Sequence, residues 1–189
     1  GINADVMTLA ATPSTATAVQ RLSAAWSNLG EEAADVVRTT YITDNPYPIG
    51  ERQNLDRGKQ TIPYNIHHSK FHPFFRNLLT AKGYYDAFLI SMPGDVIYSV
   101  FKEDDYGTNL LKGAYKDSDL GNMFRAALDL EAGEVIFSDM EPYAPSNNAP
   151  AAFVASKIVA NSGQTVGVLV LQMAVDQVGA IMNDDRGIG

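Results

Sequence analysis

The sequence predicts an α+β domain in which helices cover an antiparallel sheet. In the first third of the chain, apolar residues recur at alternating spacings of three and four, which is typical of a helix with one buried face. From Tyr84 onward, apolar residues tend to recur at every second position, which is typical of strands. Short turn sequences join successive predicted strands into antiparallel hairpins, which leaves the helices to cover the faces of the sheet.

Composition indicates a folded chain and excludes several classes of function. The 189 residues are 46% hydrophobic and 19% charged, which is enough apolar surface for a buried core. The formal net charge of −8 argues against nucleic-acid binding, because such binding needs a basic surface to displace phosphate counterions. The sequence has no cysteine, which excludes disulfides, thiol catalysis, iron–sulfur clusters and zinc ribbons.

The first predicted element is one long helix over residues 14–43, followed by a loop over residues 45–60. Pro13 and Ser14 supply a start signal, and the only weak point before Pro46 is Gly30, which a helix tolerates at about 1 kcal/mol. Such a helix would be about 45 Å long at 1.5 Å per residue, so we expect it to pack on the sheet and to serve as a dimer contact. Residues 1–60 are thus predicted to form a helical unit and residues 61–189 a sheet-containing domain.

The rest of the chain is predicted to alternate helices with paired strands. A helix over residues 69–81 ends at Gly83, and strands over 84–91 and 96–102 are joined by Pro93 and Gly94 in the order that a type II turn prefers. An amphipathic helix follows over residues 118–130. Strands over 134–139, 151–160 and 165–174 complete a five-stranded sheet, and a helix over 175–182 closes the chain.

Few residue patterns indicate catalysis or a cofactor. No glycine-rich phosphate loop, nucleophile elbow or paired-histidine zinc helix is present. His68 and His72 are spaced to chelate a metal, but Pro73 and the lack of a third ligand favour histidines that pack or hydrogen-bond in the fold. The acidic run 103–105 is interpreted as a solvated strand end, and no spacing singles out a catalytic carboxylate pair. We therefore expect no enzyme activity, no metal and no cofactor.

Aromatic and polar residues are dense between Tyr84 and Phe153, as in a small-molecule pocket. Tyr98 and Lys102 share one face of the second predicted strand, and Lys102 follows mostly apolar residues. Its ammonium therefore needs solvent, an acid partner or an anionic ligand. An alternative is that the tyrosines are only the amphipathic rim of an ordinary sheet. The candidate ligand-binding residues are walls at Tyr98, Tyr143 and Phe153, the anion partner Lys102, hydrogen-bonding groups at Asp139 and Ser146, and second-rank candidates at His72 and Arg76.

Several blocks of sequence resemble a known family of receptor domains. They are the stretches Tyr-Tyr-Asp-Ala-Phe-Leu-Ile-Ser from residue 84, Gly-Asp-Val-Ile-Tyr-Ser-Val-Phe-Lys-Glu from 94, Tyr-Gly-Thr-Asn-Leu from 106, and Phe-Ser-Asp to Phe-Val-Ala over 137–155. In this order they resemble the Cache, or PAS-like (PDC), extracytoplasmic sensor domains of bacterial methyl-accepting chemotaxis proteins. The Arg-x-x-x-Trp-Tyr pattern of amino-acid-binding members is not found, since the only tryptophan is Trp26.

This resemblance implies a non-enzymatic domain of a transmembrane receptor. We expect a periplasmic module with a PAS-like sheet that binds a small molecule, with an anion among the candidates, and passes a shift through its terminal helices to a cytoplasmic signalling module. The intact receptor is expected to be a homodimer that meets the membrane only through segments outside this chain, both ends of which look cut. The alternatives are a module that docks a periplasmic partner protein, or the equivalent sensor domain of a histidine kinase or nucleotide cyclase.

Overall fold

An antiparallel sheet of six strands forms the centre of the fold. The computed structural model describes residues 1–175, in which the strand order is β2-β1-β6-β5-β3 and the short strand β4 also pairs with β5. This confirms the predicted α+β class, with one strand more than predicted. The strands are β1 (Asp86–Ser91), β2 (Val96–Ser99), β3 (Ile136–Phe137), β4 (Glu141–Tyr143), β5 (Ala149–Val159) and β6 (Thr165–Ala174).

The register of the central strands sets the two sides of the sheet. Asp86 lies opposite Gln172, and the pairing continues along β1 and β6 without a bulge. Because successive side chains alternate, Phe88 points to one side and Leu89 to the other. The side that carries Leu89, here called the helix side, is covered by α1 (Ile2–Ala11), α2 (Pro13–Asn28) and α4 (Pro63–Lys82). The side that carries Phe88, here called the α5 side, is covered by α5 (Asp119–Leu128).

The amino-terminal third forms several helices, so the prediction of one long helix over residues 14–43 is wrong. The helices are α1 (Ile2–Ala11), α2 (Pro13–Asn28) and α3 (Ala33–Arg38), with a 3₁₀ turn at Gly30–Glu32 and a π turn at Thr39–Thr43. Gly30 has a φ of +66°, a left-handed conformation that commonly ends a helix. The apolar periodicity continues past this break because α3 packs into the same core.

The amino-terminal helices belong to the core that covers the sheet. Val6, Leu22 and Val37, from α1, α2 and α3, are almost fully buried in one cluster with Leu89 and Leu169 of the sheet. Helix α1 was not predicted from the sequence. The division of the chain at residue 60 remains a prediction, although the shared core shows that residues before this point cover the helix side.

The helix α4 (Pro63–Lys82) contains the predicted segment 69–81 and starts earlier, with Pro63 in its first turn. It ends at Gly83, as predicted. Gly83 has a φ of +75°, and its N–H donates to the carbonyl of Leu79 over 2.8 Å. Pro73 lies inside the helix. The helix α5 (Asp119–Leu128) starts after Ser118, whose hydroxyl caps the N–H of Gly121 at 3.2 Å.

Turns and strand ends agree with the sequence only in part. The β1–β2 hairpin is present, with Gly94 at φ +95° and its N–H bonded to the carbonyl of Ser91 at 2.9 Å. Strand β6 has its predicted bounds, whereas β2 ends at Ser99 and β3 has only two residues. The predicted helix 175–182 lies outside the described residues except for Val175. Among the described helices, none has the length and apolarity needed to cross a bilayer.

Candidate functional site

The structure separates the predicted ligand-binding residues into two groups. His72, Tyr98 and Lys102 are buried on the helix side, whereas Phe153 lies with Tyr143 in the core of the α5 side. The hydroxyl of Ser146 is also on the α5 side, as its bonding partners below show. Arg76 lies at the margin of the helix side, where it pairs with Asp56 and donates to the carbonyl of Gln53 at 3.0 Å. Asp139 is exposed. These residues therefore do not line one pocket.

On the helix side, Lys102 lies inside an aromatic enclosure. Its side chain is 1% exposed, and its Nζ lies 4.5 Å from the ring centroid of Tyr98, 5.0 Å from that of Tyr106 and 5.5 Å from that of Tyr41. Within residues 1–175 it has no carboxylate at salt-bridge distance, and it donates to the carbonyl of Ser99. Burial lowers the pKa of Lys102 to about 7, although the Asp86 carboxylate acts to raise it.

Two histidines close this aromatic enclosure. His72 contacts the hydroxyl of Tyr98 through Nδ1 and the carbonyl of Gln53 through Nε2, both at 2.6 Å. Since a carbonyl only accepts, Nε2 carries the proton and Nδ1 accepts from Tyr98. The ring of His68 stacks on that of His72 with centroids 4.7 Å apart. Burial, with a smaller contribution from Lys102, lowers the pKa of His72 to about 3, so it is neutral. The histidines are therefore packing and hydrogen-bonding residues.

The α5 side contains a connected group of polar side chains inside the apolar core. We call it the polar cluster and define it as Tyr85, Asp86, Glu103, Asp105, Tyr143, Ser146 and Gln172. All except Tyr85 are at most 8% exposed. It joins residues from β1, from the segment that follows β2, from the turn before β5 and from β6. Convergent polar groups beside aromatic side chains are a composition that small-molecule sites share.

A chain of hydrogen bonds runs through one half of the polar cluster. Gln172 Nε2 donates to Ser146 Oγ at 2.9 Å, and Ser146 Oγ donates to Glu103 Oε1 at 2.9 Å. Tyr85 donates to the other carboxylate oxygen, Glu103 Oε2, at 2.8 Å. Because Ser146 gives its one proton to the carboxylate, it can only accept from Gln172. This fixes the amide orientation of Gln172 and leaves its Oε1 without a partner.

The other half of the polar cluster consists of two fully buried aspartates. Asp86 starts β1, and its Oδ1 accepts from the backbone N–H groups of Ala87 and Val100 at 2.8 and 3.0 Å. Asp105 Oδ2 accepts from the hydroxyl of Tyr143 at 2.7 Å. The remaining oxygens, Asp86 Oδ2 and Asp105 Oδ1, have no hydrogen-bond partner in the part of the chain that the structure describes. Buried acceptors of this kind are rare in proteins, since each one loses its bonds to water.

Burial and mutual repulsion make the polar cluster unfavourable for three charged carboxylates. Burial raises the pKa of Asp86 well above its ordinary value, and the charges of Asp105 and Glu103 raise it further. Burial likewise raises the pKa of Asp105 to about 7, and that of Glu103 is also raised. Arg52 acts on Glu103 and lowers its pKa, but less strongly than burial raises it. The cluster therefore favours protons or another source of positive charge.

The interpretation of the acidic run 103–105 as a solvated strand end is wrong for two of its three residues. Only Asp104 is solvated, since its side chain is 64% exposed and pairs with Arg38 at 2.8 Å. Glu103 and Asp105 are buried, because the chain after Ser99 leaves the strand and Lys102 adopts a left-handed φ of +57°. That turn directs alternate residues to opposite sides of the sheet. The detectable signals were a lone Asp86 and a lone Gln172 in otherwise apolar strands.

The segment over the polar cluster has an uncommon backbone. A 3₁₀ turn at Ala144–Ser146 brings Ser146 over the cluster and is followed by Asn147 and Asn148, both left-handed at φ +54° and +60°. Together with Lys102 they are the non-glycine residues with positive φ in the described chain. Such strained positions are frequent at ligand sites. Lys102 directly precedes Glu103, Asn147 directly follows Ser146, and the N–H of Asn148 donates to the carbonyl of Tyr143 at 3.0 Å.

An open cavity lies elsewhere, at the amino-terminal helices. It has a volume of about 650 Å³ and lies between α3, the π turn and the loop that precedes α4. Acidic side chains such as Asp35 and Asp44 and the basic Arg57 and Lys59 line it, mostly from exposed positions. No predicted site residue reaches it. Within residues 1–175 there is also no group of three or more acidic, histidine or cysteine side chains placed to hold a metal ion.

Comparisons with known proteins find structural but not sequence relatives. No family profile and no curated protein matches the sequence. Solved structures that match include the sensor domain of the V. cholerae histidine kinase DctB, with 15% identity, a TM-score of 0.45 and 87% of this chain covered. The sensory domain of the Campylobacter jejuni chemoreceptor Tlp3 matches with 11% identity, a TM-score of 0.46 and 88% of this chain covered.

A third match is the ligand-binding domain of the Pseudomonas aeruginosa amino acid chemoreceptor PctC in complex with GABA, with 12% identity, a TM-score of 0.39 and 86% of this chain covered. The chain spans only 56%, 61% and 62% of these three structures in turn. They are sensor domains, the class that the sequence blocks resemble. At these values the likeness assigns no ligand and no residue role to this chain.

Proposed function

We propose that this chain is the extracytoplasmic, small-molecule-sensing domain of a transmembrane receptor, and that its ligand binds at the polar cluster on the α5 side. The observation that carries this proposal is the set of orphaned acceptors. Asp86 Oδ2, Asp105 Oδ1 and Gln172 Oε1 are buried in the polar cluster and have no hydrogen-bond partner in the described residues. A purely structural core has no use for such atoms, because each one costs about 1–3 kcal/mol.

The sequence resemblance to extracytoplasmic sensor domains of chemotaxis receptors supports the receptor role and the periplasmic location. The chain acts without catalysis in this proposal, and the intact receptor is a homodimer whose output is a cytoplasmic signalling module. Of the predicted ligand-binding residues, the proposed site retains Tyr143, Ser146 and Phe153. It adds four residues that were not predicted: Asp86, Glu103, Asp105 and Gln172.

Signal transmission is proposed to run through the segment that carries Glu103 and Asp105. Arg38 of α3 donates to the carbonyl of Asp104 at 2.8 Å and to that of Tyr106, and it also pairs with the Asp104 carboxylate. A ligand that draws Asp105 toward itself therefore pulls on a segment tied to α3. Because α3 continues the amino-terminal helices, a shift there biases their position, as expected of a two-state receptor.

A ligand screen by thermal shift tests the sensing role. A compound that binds only the folded chain raises its stability by about 2.7 kcal/mol at a hundred times its dissociation constant. We expect at least one small amine, carboxylate or sugar to raise the melting temperature, and Gln172→Leu to abolish that rise. Because this change removes a buried amide, the melting temperature of the variant without ligand is measured as its folding control. A chain that responds to none of these compounds contradicts the sensing role and favours a docking module.

The predicted anionic ligand depends on Lys102 and has its own test. Lys102→Met removes the ammonium and keeps an apolar chain of similar length inside the aromatic enclosure. If an anion pairs with Lys102, this change must weaken every carboxylate hit by at least tenfold. Unchanged affinities would show that Lys102 has no contact with the ligand, which is the result we expect from its position away from the polar cluster.

A further inference from the structure

We infer that the polar cluster binds a protonated primary amine with an apolar body. This inference rests on the proposed function and names the ligand class for the same site. An ammonium group is a donor of three hydrogen bonds and carries one positive charge. The cluster offers three orphaned acceptor atoms, on Asp86, Asp105 and Gln172, and an excess of buried negative charge.

The charge balance of the site excludes an anion as the occupant. Asp86, Glu103 and Asp105 can together carry three negative charges, and none of them has a salt-bridge partner in the described residues. The cations that act on them are Arg52, which affects Glu103, and Lys102, which affects Asp86 from the aromatic enclosure. An anion placed beside the cluster would add repulsion in a low-dielectric interior. A cation at the same place reduces the repulsion among the buried carboxylates.

The hydrogen-bonding pattern favours donors over acceptors. The tyrosine and serine hydroxyls of the polar cluster already donate to its carboxylates, at 2.7 Å from Tyr143 to Asp105 and at 2.8 and 2.9 Å from Tyr85 and Ser146 to Glu103. The amide nitrogen of Gln172 donates to Ser146. The atoms without a partner are therefore acceptors. A sugar hydroxyl donates one hydrogen bond and can satisfy one of them, whereas an ammonium group donates three and can satisfy all of them.

Aromatic and aliphatic side chains next to the polar cluster suit an apolar body on the amine. The ring of Tyr143 meets that of Phe153 edge to face at 4.9 Å, and Phe153 lies 6.4 Å from Phe88. Phe153 is the register partner of Gln172, so these rings adjoin the orphaned Gln172 oxygen. The side chains of this wall are apolar and offer no group that pairs with a carboxylate; the Arg125 guanidinium near it already donates to the carbonyls of Leu110 and Lys116. An amine with an alkyl or aryl body fits better than an amino acid.

The binding of an ammonium group here must be linked to proton release. Without ligand the cluster favours protons, and the pKa of Asp105 is about 7. An ammonium that replaces the proton of Asp105 binds more tightly as pH rises, by about tenfold per pH unit below pH 7. The pKa of Asp86 is raised as well, so release of its proton extends this rise to higher pH. Tyr85 and Tyr143 stay protonated throughout because their pKa values are raised. The pKa of Lys102 is also about 7, so the Asp105→Asn variant is needed to decide which of the two groups causes the pH dependence of binding.

Titration calorimetry with benzylamine, benzyl alcohol and benzoate on the 189-residue chain tests the inference. We expect benzylamine to bind at least tenfold more tightly than either analogue at pH 8, and its affinity to fall about tenfold per unit from pH 7 to pH 5.5. Asp105→Asn should weaken benzylamine at least tenfold and flatten the pH dependence. Asp104→Asn is the matched control, because its exposed carboxylate is the next residue and faces solvent, and it should leave binding unchanged.

Each other outcome contradicts a defined part of the inference. If benzyl alcohol binds as well as benzylamine, or if the slope persists in Asp105→Asn, the ammonium does not meet this carboxylate and the amine class is wrong. If a carboxylate or sugar binds in the thermal-shift screen with dependence on Gln172 while benzylamine does not, the sensing role stands and the amine class falls. If no compound binds, both fall.

Discussion

Replacement of Asp105 by asparagine should stabilise the ligand-free protein at neutral and alkaline pH. The pKa of Asp105 rises from 3.8 to about 7 in the folded state, mainly through burial. The unfolded carboxyl therefore loses its proton first, so folding stability falls as pH rises from about 3.8 to 7 and the full penalty is present above pH 7. A shift of about 3 units corresponds to about 4 kcal/mol at about 1.36 kcal/mol per unit.

The pKa of about 7 already includes the hydrogen bond from Tyr143, which lowers it, so no separate correction for that bond is needed. The expected gain is therefore about 4 kcal/mol at pH 8. For a chain of this length that is on the order of 12 °C in melting temperature. Urea unfolding at pH 8 and at pH 4 measures it, since the difference between variant and wild type should nearly vanish at pH 4.

The neighbouring residue supplies a control of opposite sign. The pKa of Asp104 is lowered, first by the hydroxyl of Tyr115 and then by Arg38, so its charge is favourable in the folded state. Asp104→Asn should therefore lose a little stability at pH 8, less than about 1 kcal/mol for an exposed pair. If Asp105→Asn is no more stable than wild type at pH 8, or gains as much at pH 4, the carboxylate is not a buried, unfavourable charge and the reasoning fails.

Three further changes test other parts of the fold. Gly30→Ala should lower stability by about 1 kcal/mol in urea unfolding, because alanine resists the left-handed φ of +66°; an increase in stability would contradict the break between α2 and α3. Phe124→Ala should lower it by about 3–5 kcal/mol, since Phe124 is fully buried under the α5 side, and a loss below 1 kcal/mol would place it outside the core. Stability should also fall as pH drops from 6.5 toward 3. In this range His72 is protonated in the unfolded chain but stays neutral in the folded chain, where its pKa is about 3. In urea unfolding across that pH range, His72→Gln should reduce this loss, and an unchanged pH dependence would contradict a buried neutral His72.

The predictions that the structure confirms rest on local signals. The end of α4 at Gly83 and the turn at Gly94 follow from the conformational freedom of glycine, which needs no knowledge of the tertiary fold. The bounds of β6 follow from an apolar run between a turn sequence and the end of the sheet. The position of α5 within the predicted segment 118–130 follows from its amphipathic spacing.

The errors arise where tertiary contacts override a local pattern. Apolar periodicity over residues 14–43 was continuous because α2 and α3 both face one core, so it could not show that the axis changes at Gly30. The acidic run after β2 suggested solvent, yet the chain turns at Lys102 and buries Glu103 and Asp105 on one side and the lysine on the other. Charge in a sequence shows hydrophilicity, but its burial depends on residues far along the chain, such as Tyr143 and Ser146.

The ligand chemistry depends on this same turn at Lys102. A strict alternation along an extended β2 placed Tyr98 and Lys102 on one face and therefore suggested an anionic ligand. Tyr98 and Lys102 do lie together, but inside the aromatic enclosure, whereas the turn at Lys102 directs Glu103 and Asp105 to the polar cluster. Asp86 and Gln172 are register partners on adjacent strands. A single polar residue buried at the inward position of each strand lowers folding stability unless a hydrogen-bond partner satisfies both. That pairing, more than any single charge, favours a ligand that donates hydrogen bonds and carries positive charge.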